Sequence, residues 1–242
     1  MRTPPITCCR KKEIGMSLTV EGGPDRVVPS SIYSGIVSMA LMVYSIPNVL
    51  EDVDALVVFP GLGEDWRVYD AISWCHRRPT SMVLVAGINK NEKTWRSWDI
   101  HDTRKEFGVP PIGCILLYDS QMYAANTKEQ AEWVYERVVS LDIQSLALFA
   151  SPFHCLRVYL TLLKTFIAHG RSDIVLVPAP TPVSPSRLIP ENQMSAWDLV
   201  PGEVQRIIDY QKKGDVATCE ELAHYLKWLW EQPLVQKMEA VI

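Results

Sequence analysis

Apolar residues in this chain fall into short unbroken runs separated by longer stretches of helical period. Asp54 to Phe59, Ser81 to Ala86, Cys114 to Tyr118, Gln144 to Ala150 and Asp173 to Val177 are runs of this kind. Continuous apolar segments of that length mark strands buried on both faces. Between them the apolar positions recur every three or four residues, over 65–77, 100–107, 127–139 and 153–168, which predicts helices. Upstream, Pro29 with Ser30 and Ser31 leads an apolar-periodic run to about Tyr44, and either serine can cap that helix. Downstream, 202–212 and 218–230 read as amphipathic helices broken at Lys213-Gly214-Asp215, with Thr218 and Glu221 in capping-box register.

Strands alternating with helices at this spacing predict βαβ units, a mainly parallel five-stranded sheet and right-handed crossovers. The chain therefore reads as an α/β protein. A polar arm over residues 1–27 precedes one domain over 28–242, which carries an N-terminal helix and a C-terminal helical extension from about 191. The Pro-rich stretch from Pro178 to Pro190 is a connection by default, and is long enough to act as a lid.

Composition narrows the function classes. Of 242 residues, 48% are apolar and 21% charged, with a formal net charge of −4 and basic residues scattered along the chain. A nucleic-acid surface needs a basic stripe, and none is present, so no nucleic-acid partner is expected. The run from Ile36 to Ile46 is too short to span a bilayer. Cys8, Cys9, Cys75, Cys114, Cys155 and Cys219 include no C-x-x-C pair and follow no signal-peptide pattern, which suits reduced thiols. Cys8-Cys9 with Arg10-Lys11-Lys12 is better read as an exposed tail than as a lipid anchor. A soluble cytoplasmic protein with no membrane partner is the expectation. No two His or Cys ligands share a coordinating spacing, so no metal is expected. Oligomeric state is left open.

The polar residues that carry chemistry cluster where strands give way to helices, the edge at which parallel sheets bind ligands. After the first strand, Gly61-Leu62-Gly63 lets backbone approach a ligand closely, although the third glycine of a dinucleotide fingerprint is missing. A tight strand-to-helix turn explains the same glycines. Gly87 and Asn89 follow the second strand in a comparable turn. Asn126 and Thr127 open a helix, where capping and anion binding are compatible roles. The sharpest cluster is Ser151-Pro-Phe-His154-Cys-Leu-Arg157. His154 and Arg157 stand three apart at a helix start, so both can face one edge. Arginine clamps phosphate or carboxylate, and histidine can act as general acid or base. Ser151 is read as the helix N-cap in preference to a nucleophile, since no partnering His–Asp pair can be placed beside it.

Four of these pieces, in order, resemble the YdcF-like family, related to bacterial envelope proteins of the SanA and ElyC type. They are an Asp-Ala-Leu-Val-Val strand running into Pro60-Gly61-Leu62-Gly63, a second strand ending in Gly87, the Asn-Thr-x-Glu-x-Ala helix start at Asn126 to Ala131, and Ser151-x-x-His154-x-x-Arg157. The resemblance covers residues 53–182. It implies a Rossmann-like three-layer α/β/α fold with a ligand cleft at the carboxyl edge. A family member binds S-adenosylmethionine, so that cofactor is admitted here, although none is required. The family carries an acid five positions before the Asn and a Ser two before it, where this chain has Gln121 and Ala124. Asp119 supplies the acid if the loop holds a two-residue insertion.

Three functions follow. The first is a small-molecule site, hydrolase or transferase, acting on a phosphorylated or nucleotide-like ligand. There Arg157 would hold the anion, His154 would move a proton, and Gly61, Leu62, Gly63, Gly87, Asn89, Asp119, Asn126, Thr127 and Ser151 would shape the pocket. The second is a non-catalytic module for S-adenosylmethionine or another nucleoside. The third is an interaction protein using its C-terminal helices with Trp228 and Trp230.

Overall fold

The computed structural model describes residues 30–47, 52–77, 82–87, 115–117 and 124–239. Within them the chain is α/β. Its elements in order are α1 (Ser30–Tyr44), β1 (Ala55–Val58), α2 (Trp66–Arg77), β2 (Met82–Val85), β3 (Ile115–Leu117), α3 (Thr127–Ser140), β4 (Ser145–Ala150), α4 (Pro152–Ala168), β5 (Val175–Pro180), α5 (Val200–Lys213), α6 (Cys219–Leu229) and α7 (Pro233–Glu239). The strands pair in the order β3-β2-β1-β4-β5, and every pairing is parallel.

Alternation along each strand divides the core between two faces. Val57, Leu146, Leu148 and Leu176 meet α1, α3, α4, α5 and α6 on one side. Leu56, Val58, Val83, Ala147 and Phe149 meet Val68, Ala71 and Ile72 of α2 on the other. Helices on both faces explain why the strands read as unbroken apolar runs. The helices that follow β1 and β4 leave toward opposite faces, so a crevice opens between the carboxyl ends of these neighbours, where the chain's direction of winding reverses. At the opposite end Asp54 closes the pair, its Oδ2 accepting from Ser145 N at 2.9 Å and Gln144 N at 2.9 Å.

β5 runs three residues beyond the expected end at Val177, through two prolines. Val175 and Thr181 donate their N–H groups to Gln144 and Ala150 of the β4 side. Pro178 and Pro180 occupy the alternate positions, whose nitrogens face away from β4, so no ladder bond is lost at this outer strand. The same outer edge is covered from α6. Leu176 N donates to Tyr225 Oη and Tyr225 Oη donates to Ile174 O, both at 2.8 Å.

The helix ends follow from the sequence except at two serine sites, the start of α1 and Ser151. Ser30 and Ser31, read as caps, both lie inside α1. Thr218 and Glu221 form the expected capping box on α6. Asn126 caps α3, accepting from Glu129 N at 3.0 Å, and Glu129 reciprocates by accepting from Ala125 N and Asn126 Nδ2. Ser151 occupies the N-cap position of α4, but its hydroxyl makes no capping bond. The helix at its start is served by backbone alone, His154 N and Cys155 N both donating to Ser151 O. α7 was not foreseen. The expected arm over 1–27 and the helix over 100–107 lie outside the described residues. No helix among the described residues is long and apolar enough to cross a membrane.

Candidate functional site

A cleft of about 520 Å³ lies at the carboxyl ends of the strands, within the range of small-molecule sites. Five segments wall it: the turn after β1, the start of α3, the start of α4, the loop between β5 and α5, and one face of α5 with Asp215 just past its end. Of the residues expected from sequence, Gly61, Leu62, Asn126, Thr127, His154 and Arg157 line it. Gly63, Gly87 and Ser151 do not. Asn89 and Asp119 lie outside the described residues.

Each of the three that miss the cleft has a structural task. Gly63 takes a left-handed φ of 67°, and a Cβ there would stand 2.8 Å from Pro190 Cβ, so glycine is required by backbone and space together. Gly87 is buried, and its carbonyl accepts from Gln130 Nε2 at 2.7 Å, tying β2 to α3. Ser151 is fully buried. Its hydroxyl donates to Glu64 Oε2 at 2.5 Å and accepts from Arg67 Nε at 2.9 Å and from Trp66 Nε1 at 3.3 Å. It braces an ion pair instead of capping a helix.

That ion pair, Glu64–Arg67, went unnoticed in the sequence. Arg67 is 0% and Glu64 2% exposed, with Arg67 Nη2 donating to Glu64 Oε1 at 2.5 Å. Arg67 Nη1 donates to Phe59 O at 2.8 Å. Room for the carboxylate comes from Gly61, where a Cβ would fall 2.0 Å from Glu64 Oε1. The glycine of this turn therefore admits a buried side chain as well as lining the cleft. A Glu-x-x-Arg straddling a strand-to-helix turn was the available signal. Its charge argued for the surface.

His154 joins this pair to a second one. Its Nδ1 lies 3.1 Å from Arg67 Nη1, and its Nε2 lies 2.8 Å from Arg157 Nη2. Arg157 in turn donates from Nε to Glu203 Oε2 at 2.5 Å and from Nη1 to Thr127 Oγ1 at 2.9 Å. Arg206 Nη1 donates to Glu203 Oε1 at 2.8 Å. Glu203, Arg206, Tyr210 and Lys213 reach the cleft from α5, which the sequence presented as an appended helix. Amphipathicity predicted that α5 packs. Which polar residues of its other face meet the strand ends depends on tertiary position.

Three guanidinium groups and two carboxylates thus surround one imidazole. Burial, then the charges of Arg157, Arg67 and Arg206, hold the His154 imidazolium well below its ordinary range. Both causes disfavour the protonated ring. Its neighbour Cys155 is buried against the core, and burial pushes its thiol up to about 12, so it packs and does not react. Lys128, at the start of α3, donates to Asp215 Oδ1 at 2.6 Å across the cleft mouth.

The loop between β5 and α5 supplies Glu191 and Asn192 to the cleft. It is anchored by Ile189, Ala196 and Leu199, packed with Trp66, Phe153 and Val183, and by an antiparallel bridge between Leu188 and Ser195. Trp228 and Trp230 pack against the main core. No family model matches the chain, and no curated protein matches it.

Proposed function

We propose that the cleft binds an anionic, phosphorylated or nucleotide-like small molecule, in a Rossmann-like three-layer fold of the YdcF-like kind. The observation that carries this reading is the charge balance around His154. Arg67, Arg157 and Arg206 stand against Glu64 and Glu203, leaving an excess of one positive charge at the inner end of the cleft. After burial, the charges of Arg157, Arg67 and Arg206 lower the proton affinity of His154 in the same sense. Asn126, Thr127 and Lys128 bring the start of α3 to the cleft wall, and the N-terminal end of a helix favours an anion. Phe153 and Tyr210 add aromatic surface for a flat or apolar moiety.

Between the two small-molecule readings, the field favours phosphate. S-adenosylmethionine carries a sulfonium and an ammonium against one carboxylate, and a positive environment opposes it. Whether a reaction follows binding is a separate matter; the lowered proton affinity of His154 disfavours the imidazolium form as a proton donor. The interaction reading finds less support, because Trp228 and Trp230 are partly buried against the core.

A thermal-shift screen against inorganic phosphate, nucleotides, sugar phosphates, S-adenosylmethionine and its demethylated product tests the proposal. A phosphorylated ligand at a hundred times its dissociation constant adds about 2.7 kcal/mol of apparent stability. Arg157→Ala abolishes that gain. Stabilisation by S-adenosylmethionine alone, or a phosphate response indifferent to Arg157→Ala, would sink the reading.

A further inference from the structure

The surroundings of His154 dictate where its ring carries a proton. Arg67 is fully buried, and its Nη1 has two hydrogens to place. One goes to Phe59 O, and the other points at His154 Nδ1. A proton on Nδ1 would set a buried guanidinium N–H against another N–H, which costs the full desolvation of a charged donor. Arg157 is under less constraint. It is 11% exposed, it opens on the cleft, and Glu203 and Thr127 already accept from it. The Nδ1 lone pair therefore belongs to Arg67, and the ring's single proton sits on Nε2. That N–H then faces Arg157 Nη2, itself a donor, across 2.8 Å. Two donors converge there with no acceptor between them.

We propose that His154 Nε2–H and Arg157 Nη2 form a two-donor clasp for one anionic oxygen of the ligand, with Arg67 as the positioning residue that fixes the histidine tautomer. The clasp rests on the anionic-ligand reading above and assigns that reading its binding atoms. The two nitrogens are 2.8 Å apart, so an oxygen seats beside them and not between them. Once Arg157 Nη2 draws aside, the oxygen accepts from both and relieves this donor–donor contact. The role of the histidine changes accordingly. With its one lone pair held by Arg67, it takes no proton from a substrate, and it steadies negative charge by donating a hydrogen bond. Burial and the surrounding arginines, which both disfavour a second proton on the ring, agree with this.

Long-range ¹H–¹⁵N NMR of the labelled full chain at neutral pH reads the tautomer directly, with His154 assigned by its loss in His154→Gln. The expected result is an unprotonated Nδ1 and a protonated Nε2. Inorganic phosphate is then titrated by calorimetry. His154→Leu weakens binding roughly tenfold or more, the worth of a hydrogen bond to a charged group. His154→Gln, whose amide N–H stands in for Nε2–H, recovers most of that loss. A ring protonated on Nδ1, or exchanging between tautomers, overturns the clasp and leaves the anion site standing. Arg157-dependent phosphate binding that is equally weakened in His154→Leu and His154→Gln overturns it too. If the wild-type chain takes up no phosphate, the anion-site reading falls, and the clasp falls with it whatever the tautomer.

Discussion

Two Glu-x-x-Arg pairs flank His154, and they share a spacing but little else. Glu64–Arg67 is shut away at 2% and 0% exposure, while Arg206 of the Glu203–Arg206 pair is 49% exposed. In the first, Ser151, Phe59 O and His154 take up the remaining hydrogen-bonding capacity. In the second, Glu203 divides its carboxylate between Arg206 and Arg157. Identical sequence spacing thus produces a fixed strut on one side of the histidine and an adjustable electrostatic partner on the other. Surroundings decide the difference, because charge in a dry interior has no water to fall back on.

The largest expected effect breaks the strut. Arg67→Met keeps the volume but leaves Glu64 buried without its cation, and it costs roughly 3–5 kcal/mol in urea unfolding. Adding Glu64→Gln removes the stranded charge, so the double variant is more stable than Arg67→Met alone. This non-additivity is what two residues sharing one buried pair should show. A loss below about 1 kcal/mol in Arg67→Met would mean that the pair is solvated after all, and the contrast between the two sides would collapse.

Much of the frame around this pair was legible from sequence, for a physical reason. Strands covered on both faces must be apolar throughout, so the runs at Asp54 to Phe59 and Gln144 to Ala150 announced β1 and β4 within a residue or two. His154 and Arg157 were legible as well, because helical spacing alone brings side chains three apart together. What escaped depended on contacts distant in sequence. Ser151 looked like a cap because serine before a helix usually is one, yet Arg67 and Glu64, 84 and 87 residues away, claim its hydroxyl. Pro178 looked like the end of β5 because only pairing partners reveal which strand nitrogens are needed. Nor could local sequence give the titration of His154, whose depressing charges come from α2, α4 and α5.

A middle-sized effect follows from that titration. The folded ring binds a proton less readily than the unfolded one, whose ordinary value is 6.5. Below about pH 6.5 the unfolded chain therefore takes up a proton that the folded chain refuses, and stability falls as pH drops toward the folded value. One such group contributes a slope of at most about 1.4 kcal/mol per pH unit. Subtracting the pH profile of His154→Gln from that of the wild type isolates it. A difference profile that is flat between about pH 6.5 and 5, or that rises on acidification, would show that burial and the cations around the ring do not lower its proton affinity.

The smallest effect on stability comes from the open pair, and it completes the contrast because the substitution is the same. Arg206→Met removes a half-exposed guanidinium while Glu203 keeps its two bonds from Arg157. No charge is stranded, so the expected loss is within about 1 kcal/mol, the usual worth of an exposed ion pair. Ligand binding is affected in a different way. Without Arg206 the balance around His154 drops from one excess positive charge to none, and Glu203 turns its whole carboxylate on Arg157, competing with an incoming anion. Phosphate affinity should therefore fall several-fold at low ionic strength, with the deficit shrinking as added salt screens exposed charges. A variant as unstable as Arg67→Met would place both pairs in one structural class. A stable variant with unchanged phosphate affinity would confine the positive field to Arg67 and Arg157, and α5 would then contribute shape to the cleft without contributing charge.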